Sequence, residues 1–171
     1  MVWVDGTATV SESGRAGPRP SRVAARALII CDGALLVVNA FRGAEVGLWC
    51  APGGGGEAGE GLTDTLCREV REETGLAITP GPLAGVSEFH NPESGFHQVD
   101  IFFHATALMP LPADWSDPEG VVVERRWADA ATLAKLPHKP DHLAEMAFSG
   151  WPATYHPLHR MVPPPIQGAD A

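Results

Sequence analysis

Four consecutive glycines, Gly53–Gly56, lead into the most regular helical pattern of the chain. In the segment that follows, an apolar residue returns at every fourth position and gives a helix one apolar stripe: Leu62, Leu66 and Val70. Gly75 comes directly after this pattern and is typical of the residue that ends a helix. The sequence therefore predicts a core-facing helix over 62–74, with Thr63 as the candidate N-cap.

The same helix carries three glutamates on one face: Glu69, Glu72 and Glu73. Successive residues are about 100° apart around a helix, so positions i, i+3 and i+4 lie side by side. Like charges in this arrangement repel one another unless a cation lies among them, and Mg²⁺ prefers oxygen ligands of this kind. For three glutamates alone, an ordinary solvated acidic face is the simpler interpretation. Arg68 is placed to hold one carboxylate by a bidentate ion pair.

The glycines before the helix indicate where the backbone comes close to a ligand. Gly53 and Gly54 lack the Cβ that would keep their carbonyl and amide groups away from a metal ion or a phosphate oxygen. Loop and helix together are therefore expected to form a cradle for a metal-bound pyrophosphate.

Outside the helix at 62–74, the pattern of apolar and polar residues predicts mainly β-strands. Asp32-Gly33 separates the apolar runs 23–31 and 34–38 and predicts a β-hairpin. Residues 97–108 alternate in polarity, which predicts a strand with one buried face. The other predicted elements are extended pieces at 76–78 and 83–89, a strand at 121–127, and short helices at 128–136 and 140–148. This order of elements predicts an α+β or α/β sandwich.

The length suits one domain with two irregular ends. Residues 1–22 are predicted to form a flexible N-terminal arm, because Gly, Ser, Pro and Arg follow one another there without periodicity. Residues 23–160 are predicted to form a single domain, and 161–171 a loose C-terminal tail.

The composition limits which partners the protein can bind and in which cellular compartment it is expected. The net charge is −9, from 12 Lys+Arg and 21 Asp+Glu, which argues against nucleic acid polymers and anionic membranes as partners. No apolar run reaches the ~18 residues of a transmembrane helix, and no apolar signal segment follows Met1. The three cysteines lack CxxC spacing, so neither a zinc knuckle nor a disulfide framework is expected. We therefore expect a cytoplasmic protein.

The spacing across the glycine loop and the helix carries a family resemblance. It reads Gly54-x5-Glu60-x7-Arg68-Glu69-Val70-x-Glu72-Glu73-x-Gly75-Leu76, with Trp49 and Pro52 ahead of it. Every fixed position of the Nudix box is matched, so the chain resembles the Nudix hydrolases. The resemblance implies an α/β/α sandwich around a mixed β-sheet. It also implies Mg²⁺-dependent cleavage of a phosphoanhydride bond in a nucleoside diphosphate linked to another moiety, with Mn²⁺ as a substitute.

Roles for single residues follow from the resemblance, position by position. Glu69 and Glu73 resemble the principal metal ligands, and the Gly53 carbonyl resembles a backbone ligand. Glu72 resembles an additional ligand or a partner of the base, and the position of Glu69 is also a candidate general base. The implied catalytic group is therefore Glu69, Glu72 and Arg68, the last with Glu60 as a structural partner.

A further glutamate often follows the box, and Glu119 and Glu124 both stay open as that ligand or base. Candidate substrate contacts are Arg42, Gly54 and His97. The substrate is expected to be a small molecule: a nucleoside triphosphate, ADP-ribose or another nucleotide sugar, or a dinucleoside polyphosphate. Relatives are commonly dimers, so a homodimer is one expectation. The alternatives are a non-catalytic Nudix-fold sensor of nucleotide metabolites and an acidic interaction domain.

Overall fold

The computed structural model of the chain describes residues 20–39, 47–92, 94–150 and 153–160. Within these ranges, eight strands form one mixed sheet that carries three helices. In chain order, the elements are β1 Arg22–Cys31, β2 Ala34–Asn39, β3 Trp49–Cys50, β4 Gly53–Gly55, α1 Leu62–Thr74, β5 Ile78–Asn91, β6 Phe96–Ala107, β7 Arg125–Ala128, α2 Ala130–Leu133, α3 Leu143–Phe148 and β8 Thr154–Arg160.

The strands are ordered β3-β2-β1-β6-β5-β8, with β4 paired to β1 and β7 paired to β2. The pairs β1–β6 and β5–β8 are parallel, and the others are antiparallel. β1 therefore lies at the centre of the sheet, between the hairpin partner β2 and the long strand β6. One end of β1 pairs with the glycine strand β4, so the glycine segment is a strand and not only a loop.

The predicted hairpin is confirmed. Asp32 and Gly33 have φ values of 49° and 75°, the left-handed conformation that a two-residue hairpin turn requires at both positions. β1 begins at Arg22, one residue before the predicted domain start at Val23.

Helices cover both faces of the sheet, as the predicted sandwich requires. On one face, α1 packs Leu66 and Val70 against β1 and β2 in a cluster that includes Ile29 and Leu36. On the other face, α2 and α3 pack against a second cluster that contains Leu28, Leu35 and Phe102. The α+β sandwich around a mixed sheet is confirmed, and it holds α1 rigidly on the centre of the sheet.

Phe102 corrects the prediction of a strand with one buried face. The polarity pattern placed Phe102 on the exposed face of the strand at 97–108, but its side chain is 1% exposed. Both faces of β6 are covered because helices lie on both sides of the sheet, and alternation along one strand does not reveal the second layer.

The N-cap of α1 and several element boundaries differ from prediction. α1 covers Leu62–Thr74 as predicted, but its N-cap is Gly61, so Thr63 lies inside the helix. The two extended pieces at 76–89 are one strand, β5, whose register shifts around Pro80 and Leu83 because proline donates no ladder hydrogen bond. The last two helices are shorter than predicted, since Ala128 belongs to β7 and Asp129 caps α2 through its side chain.

The strand predicted at 121–127 begins only at Arg125. The backbone N–H groups ahead of it are taken by side chains instead of a neighbouring strand. The Asp117 carboxylate accepts from Val121 and Val122, and the Asn39 side chain accepts from Val123 and Glu124. The strand β8 was not predicted at all, since Pro157 argues against a central strand, but proline is tolerated at the edge position that β8 occupies.

Leu66→Ala is expected to lower the free energy of unfolding by ~2–5 kcal/mol, because Leu66 is fully buried between α1 and the sheet. Chemical denaturation followed by circular dichroism measures the change. Leu108→Ala is the matched control, since that leucine is 80% exposed and its replacement should change stability by no more than about 0.5 kcal/mol. Equal effects of the two changes would contradict the assigned packing of α1.

Candidate active site

Arg68 lies at the centre of the acidic face of α1. Its Nη1 donates to Glu69 Oε1 at 2.9 Å and to Glu72 Oε2 at 3.1 Å, so it draws these two carboxylates together. Its Nε and Nη2 donate to the two oxygens of Glu60, both at 2.9 Å. The structure thus pairs Arg68 with Glu60 in the bidentate geometry, and the same guanidinium also orients two of the three helix glutamates.

Glu60 joins the loop ahead of α1 to the helix. Besides Arg68, its carboxylate accepts from the Glu57 N–H at 3.1 Å and from the Thr65 hydroxyl at 2.9 Å. Hydrogen bonds from Arg68, then from Glu57, hold the pKa of Glu60 at about 2, well below its ordinary value. The carboxylate is therefore charged at neutral pH and ties the loop to the helix face.

Glu73 has a different environment from the other two glutamates. Its Oε2 accepts the backbone N–H of Gly53 at 2.7 Å, which attaches the helix to β4. Burial raises the pKa of Glu73 to about 7, against the opposing effects of Arg26 and of the Gly53 N–H, while Glu69 and Asp117 add to the rise. A buried carboxylate that is only partly neutralised has the charge environment that favours an additional cation.

Gly54 explains how Glu69 comes so close to β4. A Cβ at position 54 would overlap the Glu69 carboxylate, so the site has room for that carboxylate only because position 54 is glycine. Gly54 therefore contacts a predicted metal ligand directly. The glycine strand and the glutamate helix therefore lie directly against one another, with no side chain of β4 between them.

Arg26 is a site residue that the sequence analysis missed. It lies on β1, its Nη1 donates to the Gly53 carbonyl, and its Nε donates to Asp100 Oδ1 at 3.0 Å. A signal was present in the sequence, because an arginine in the middle of the apolar run 23–31 must find a partner if the strand is buried. The partner is supplied by β6, which pairs with β1 in parallel register and lies far away in sequence.

The C-terminal end of α1 is held by the long connection after β6. The Trp115 indole N–H donates to the Glu72 carbonyl at 2.9 Å, and Arg125 donates to the Thr74 carbonyl. The Arg125 guanidinium lies 4.2 Å from the centre of the Trp115 ring, a cation–π contact. These contacts bind the last carbonyls of the helix and limit movement of the glutamates that it carries.

The carboxylates of this connection are placed differently from one another. Glu124 pairs with Arg126 at 2.9 Å and is largely exposed, and Glu119 is exposed in a turn. Asp117 is the carboxylate of this segment whose charge raises the pKa of Glu73, and its oxygens accept backbone N–H groups of the same loop, from Glu119, Val121 and Val122. Asp117 thus shapes the loop beside the site, and the choice between Glu119 and Glu124 stays a prediction.

The two other candidate substrate contacts are His97 and Arg42. His97 is the second residue of β6, where its Nδ1 is 3.1 Å from the Ser21 hydroxyl and its Nε2 is 3.6 Å from Glu88 Oε2. Its ring meets that of His90 edge-on at 5.5 Å. Arg42 lies outside the described residues.

The donor groups fit a hard divalent cation. Glu69 and Glu73 are both held against the backbone of β4, at Gly54 and Gly53 respectively, and their carboxylate oxygens are the ligand type that Mg²⁺ prefers. Over the described ranges, no three acidic, histidine or cysteine side chains converge as a ready metal cluster. Ion pairs with Arg68 and the hydrogen bond to Gly53 hold these carboxylates.

Comparison with known proteins identifies the family. A family model described as the NUDIX domain matches residues 20–147, which is most of the chain. The chain belongs to the Nudix family, and the box over 54–76 lies inside the matched region. The relatives from Bacillus subtilis and Burkholderia pseudomallei carry the name Nudix hydrolase, in agreement with the enzyme class that the sequence predicted.

Three relatives illustrate the range of similarity. The uncharacterized Nudix hydrolase YvcI of Bacillus subtilis (strain 168) is 32% identical over 106 residues, which cover 61% of this chain and 66% of that protein. The mouse (Mus musculus) protein nucleoside diphosphate-linked moiety X motif 6 is 30% identical over 91 residues, covering 53% of this chain and 29% of that protein. The matched part is thus less than two thirds of either relative.

The crystal structure of the MutT NUDIX hydrolase from Burkholderia pseudomallei has a TM-score of 0.62 and 27% identity to this chain. The match covers 77% of this chain and 98% of that protein, so nearly the whole of the Burkholderia fold is present here.

The described part of this chain contains no helix that is long and apolar enough to span a membrane.

Glu60→Gln is expected to lower the melting temperature at pH 7 by roughly a few degrees. The neutral glutamine side chain cannot form the bidentate ion pair with the Arg68 guanidinium. The folded-state pKa of Glu60 lies below its ordinary value of 4.5, at about 2. Its contribution to stability is therefore complete above pH 4.5 and lost as the pH falls towards 2. Thermal unfolding of the wild type and the variant should therefore show that the difference between their melting temperatures becomes smaller as the pH falls from 4.5 towards 2. The exposed Glu57→Gln is the control, and a pH-independent difference would contradict the ion pair.

Arg68→Lys is expected to weaken Mn²⁺ binding on the order of tenfold, because lysine cannot orient Glu60, Glu69 and Glu72 at the same time. Isothermal titration calorimetry gives the dissociation constant. Arg71→Lys is the matched control, since Arg71 is exposed on the same helix. An unchanged affinity in Arg68→Lys would show that the network does not position metal ligands.

Proposed function

We propose that this chain is a Mg²⁺-dependent pyrophosphohydrolase that cleaves a phosphoanhydride bond in a nucleoside diphosphate linked to another moiety, and that Mn²⁺ can replace Mg²⁺. The observation that carries the proposal is the contact of Glu69 and Glu73 with the glycine strand β4. Two carboxylates lie against a strand without side chains, on a helix that is anchored in the core. A pyrophosphate and a metal ion both need such an open, rigid and charged surface.

Glu69 and Glu73 are the proposed principal ligands, with Glu72 as an additional ligand or as the partner of the base. Their positions differ, since the Glu73 carboxylate accepts the Gly53 N–H, whereas Glu72 is half-exposed and pairs with Arg68. Glu73, which is held by the backbone, is suited to keep a cation in place, and Glu72 can exchange its partner during turnover. Bound Mg²⁺ would neutralise phosphate charge, act as a Lewis acid and lower the pKa of a water ligand.

Arg68 is a positioning residue in this proposal, because its contacts in the structure are to three glutamates and to the Gly55 carbonyl; the glutamates are Glu60, Glu69 and Glu72. It sets the direction of Glu69, which is the proposed base that accepts the proton of the attacking water. The carboxylate of Glu69 is suited to this task because it lies beside the backbone surface on which a phosphate can rest. Most of the rate enhancement is expected from placement and charge stabilisation.

The substrate is proposed to be a small nucleotide-like diphosphate, contacted by the Gly54 backbone and by His97. The net charge of −9 argues against a nucleic acid polymer, and the proposal keeps the expected cytoplasmic location. The Burkholderia protein is named a MutT NUDIX hydrolase, which supports the choice of nucleotides for a first substrate panel. A panel of nucleoside triphosphates, ADP-ribose, other nucleotide sugars and dinucleoside polyphosphates, with product identification, tests the substrate class.

The same panel separates the enzyme from its alternatives. A sensor binds a nucleotide metabolite without releasing phosphate products, and an interaction domain needs no metal ion. Metal-dependent product release is therefore the decisive result, and its failure across the panel with both Mg²⁺ and Mn²⁺ would refute the proposed activity.

Glu73→Gln is expected to lower kcat at saturating substrate and fixed Mg²⁺ on the order of 100-fold or more, because a neutral amide holds a divalent cation poorly. Steady-state kinetics on the best substrate of the panel measures the loss. Glu145→Gln, an exposed position on α3, makes the same chemical change away from the site and should leave kcat unchanged. An unchanged kcat in Glu73→Gln would remove that residue from the metal site.

A further inference from the structure

Arg26 makes contacts that the metal-site assignment does not use. Its Nη1 donates to the Gly53 carbonyl and, at 3.4 Å, to the Ala51 carbonyl. Its Nε donates to Asp100 Oδ1 at 3.0 Å. The guanidinium therefore bridges β6 and the backbone at the start of β4, with 18% of the side chain exposed.

Hydrogen bonds with residues of β6 fix the position of the Arg26 guanidinium. The Gln98 side-chain amide donates to the same Asp100 oxygen at 2.8 Å, so the carboxylate that orients Arg26 is itself oriented by β6. The backbone N–H of Gly53 donates to Glu73. A continuous series of hydrogen bonds thus runs from Gln98, through Asp100, Arg26 and Gly53, to the buried glutamate of α1.

A purely structural ion pair with Asp100 explains part of this arrangement. It does not require the second contact, in which Nη1 donates to the carbonyl of the same glycine whose N–H binds Glu73. Arg26 is also close enough to Glu73 to favour the charged form of that carboxylate. Arg26 therefore acts on two groups that the proposed function assigns to a metal ion: the Gly53 carbonyl and the Glu73 carboxylate.

A metal ion and a guanidinium oppose one another at a single carbonyl oxygen. Mg²⁺ binds oxygen ligands at about 2.0–2.1 Å, and a guanidinium on the same oxygen would repel it at short range. Binding of a metal ion at Gly53 therefore favours release of the Nη1 hydrogen bond. The pair with Asp100 through Nε can persist during this change, so the guanidinium turns about a fixed end and remains at the site.

We propose that Arg26 competes with the metal ion for the Gly53 carbonyl, and that the guanidinium, once released, binds a phosphate of the substrate. The inference rests on the proposed function and adds a substrate-binding residue to it. Arginine forks match phosphate oxygens well, and Arg26 remains beside the glycine strand on which the diphosphate is proposed to rest. Metal and substrate then favour one another's binding, since each relieves a contact that opposes the other.

The first test measures metal binding without any substrate. Arg26→Gln removes the competing cation and is expected to lower the dissociation constant of Mn²⁺ on the order of tenfold in calorimetry. Arg71→Gln is the matched control, because it makes the same change of net charge at an exposed position of α1. If the Arg26→Gln protein has the melting temperature of the wild type but binds Mn²⁺ no more tightly, the proposed competition between Arg26 and the metal ion is refuted.

A second variant covers the case in which Arg26→Gln does not fold, since it leaves Asp100 buried without its cation. Arg26→Gln combined with Asp100→Asn removes both buried charges and keeps amide groups next to Gln98. This double variant is expected to show the same tighter binding of Mn²⁺. Unchanged or weaker binding by the folded double variant would likewise overturn the competition.

The phosphate half of the proposal is tested with methylenediphosphonate, a pyrophosphate analogue that is not hydrolysed. In a buffer with the same saturating Mg²⁺ for every variant, Arg26→Gln or the double variant is expected to bind this probe on the order of tenfold more weakly than the wild type. Equal affinity would overturn the transfer to phosphate. Neither titration depends on turnover, so a wild-type protein that binds metal but hydrolyses nothing would refute the proposed activity and leave this inference standing.

Discussion

The close approach of β4 to its two neighbours is the constraint on which the site depends. A Cβ at Gly53 would overlap the β1 backbone, and a Cβ at Gly54 would overlap the Glu69 carboxylate. The strand is therefore enclosed between β1 and α1 with no space for side chains. This close packing brings peptide groups into direct contact with carboxylates, which side chains on β4 would otherwise separate.

Cations on both sides stabilise the carboxylates that this packing brings together. Arg68 lies on α1 and binds Glu69 and Glu72, while Arg26 lies on β1 and acts on Glu73 across the Gly53 carbonyl. The two arginines differ in origin. Arg68 follows from the local helix sequence, whereas Arg26 reaches the site because β1 pairs with β4 in antiparallel register.

The elements that could be predicted from the sequence are those that depend on interactions between neighbouring residues. The Asp32-Gly33 turn and the helix over 62–74 depend on neighbours within a few residues, and both form as predicted. The segment at 121–124 does not form a strand, because distant side chains, Asn39 among them, accept its N–H groups. β8 pairs only through a parallel contact with β5, about seventy residues away in sequence, and sequence periodicity carries no information about such a partner.

The sequence by itself determined the glutamate helix and the family of the chain, because spacing along one helix places carboxylates on one face regardless of the rest of the chain. Only the tertiary structure decided how those carboxylates differ: Glu73 accepts the Gly53 N–H, whereas Glu72 lies half-exposed beside Arg68. It also decided that Arg26, Asp100 and Gln98 reach the same site, since strand register brings them together. Burial and long-range pairing set the charge environment of the site, and neither is encoded in the local spacing of residues.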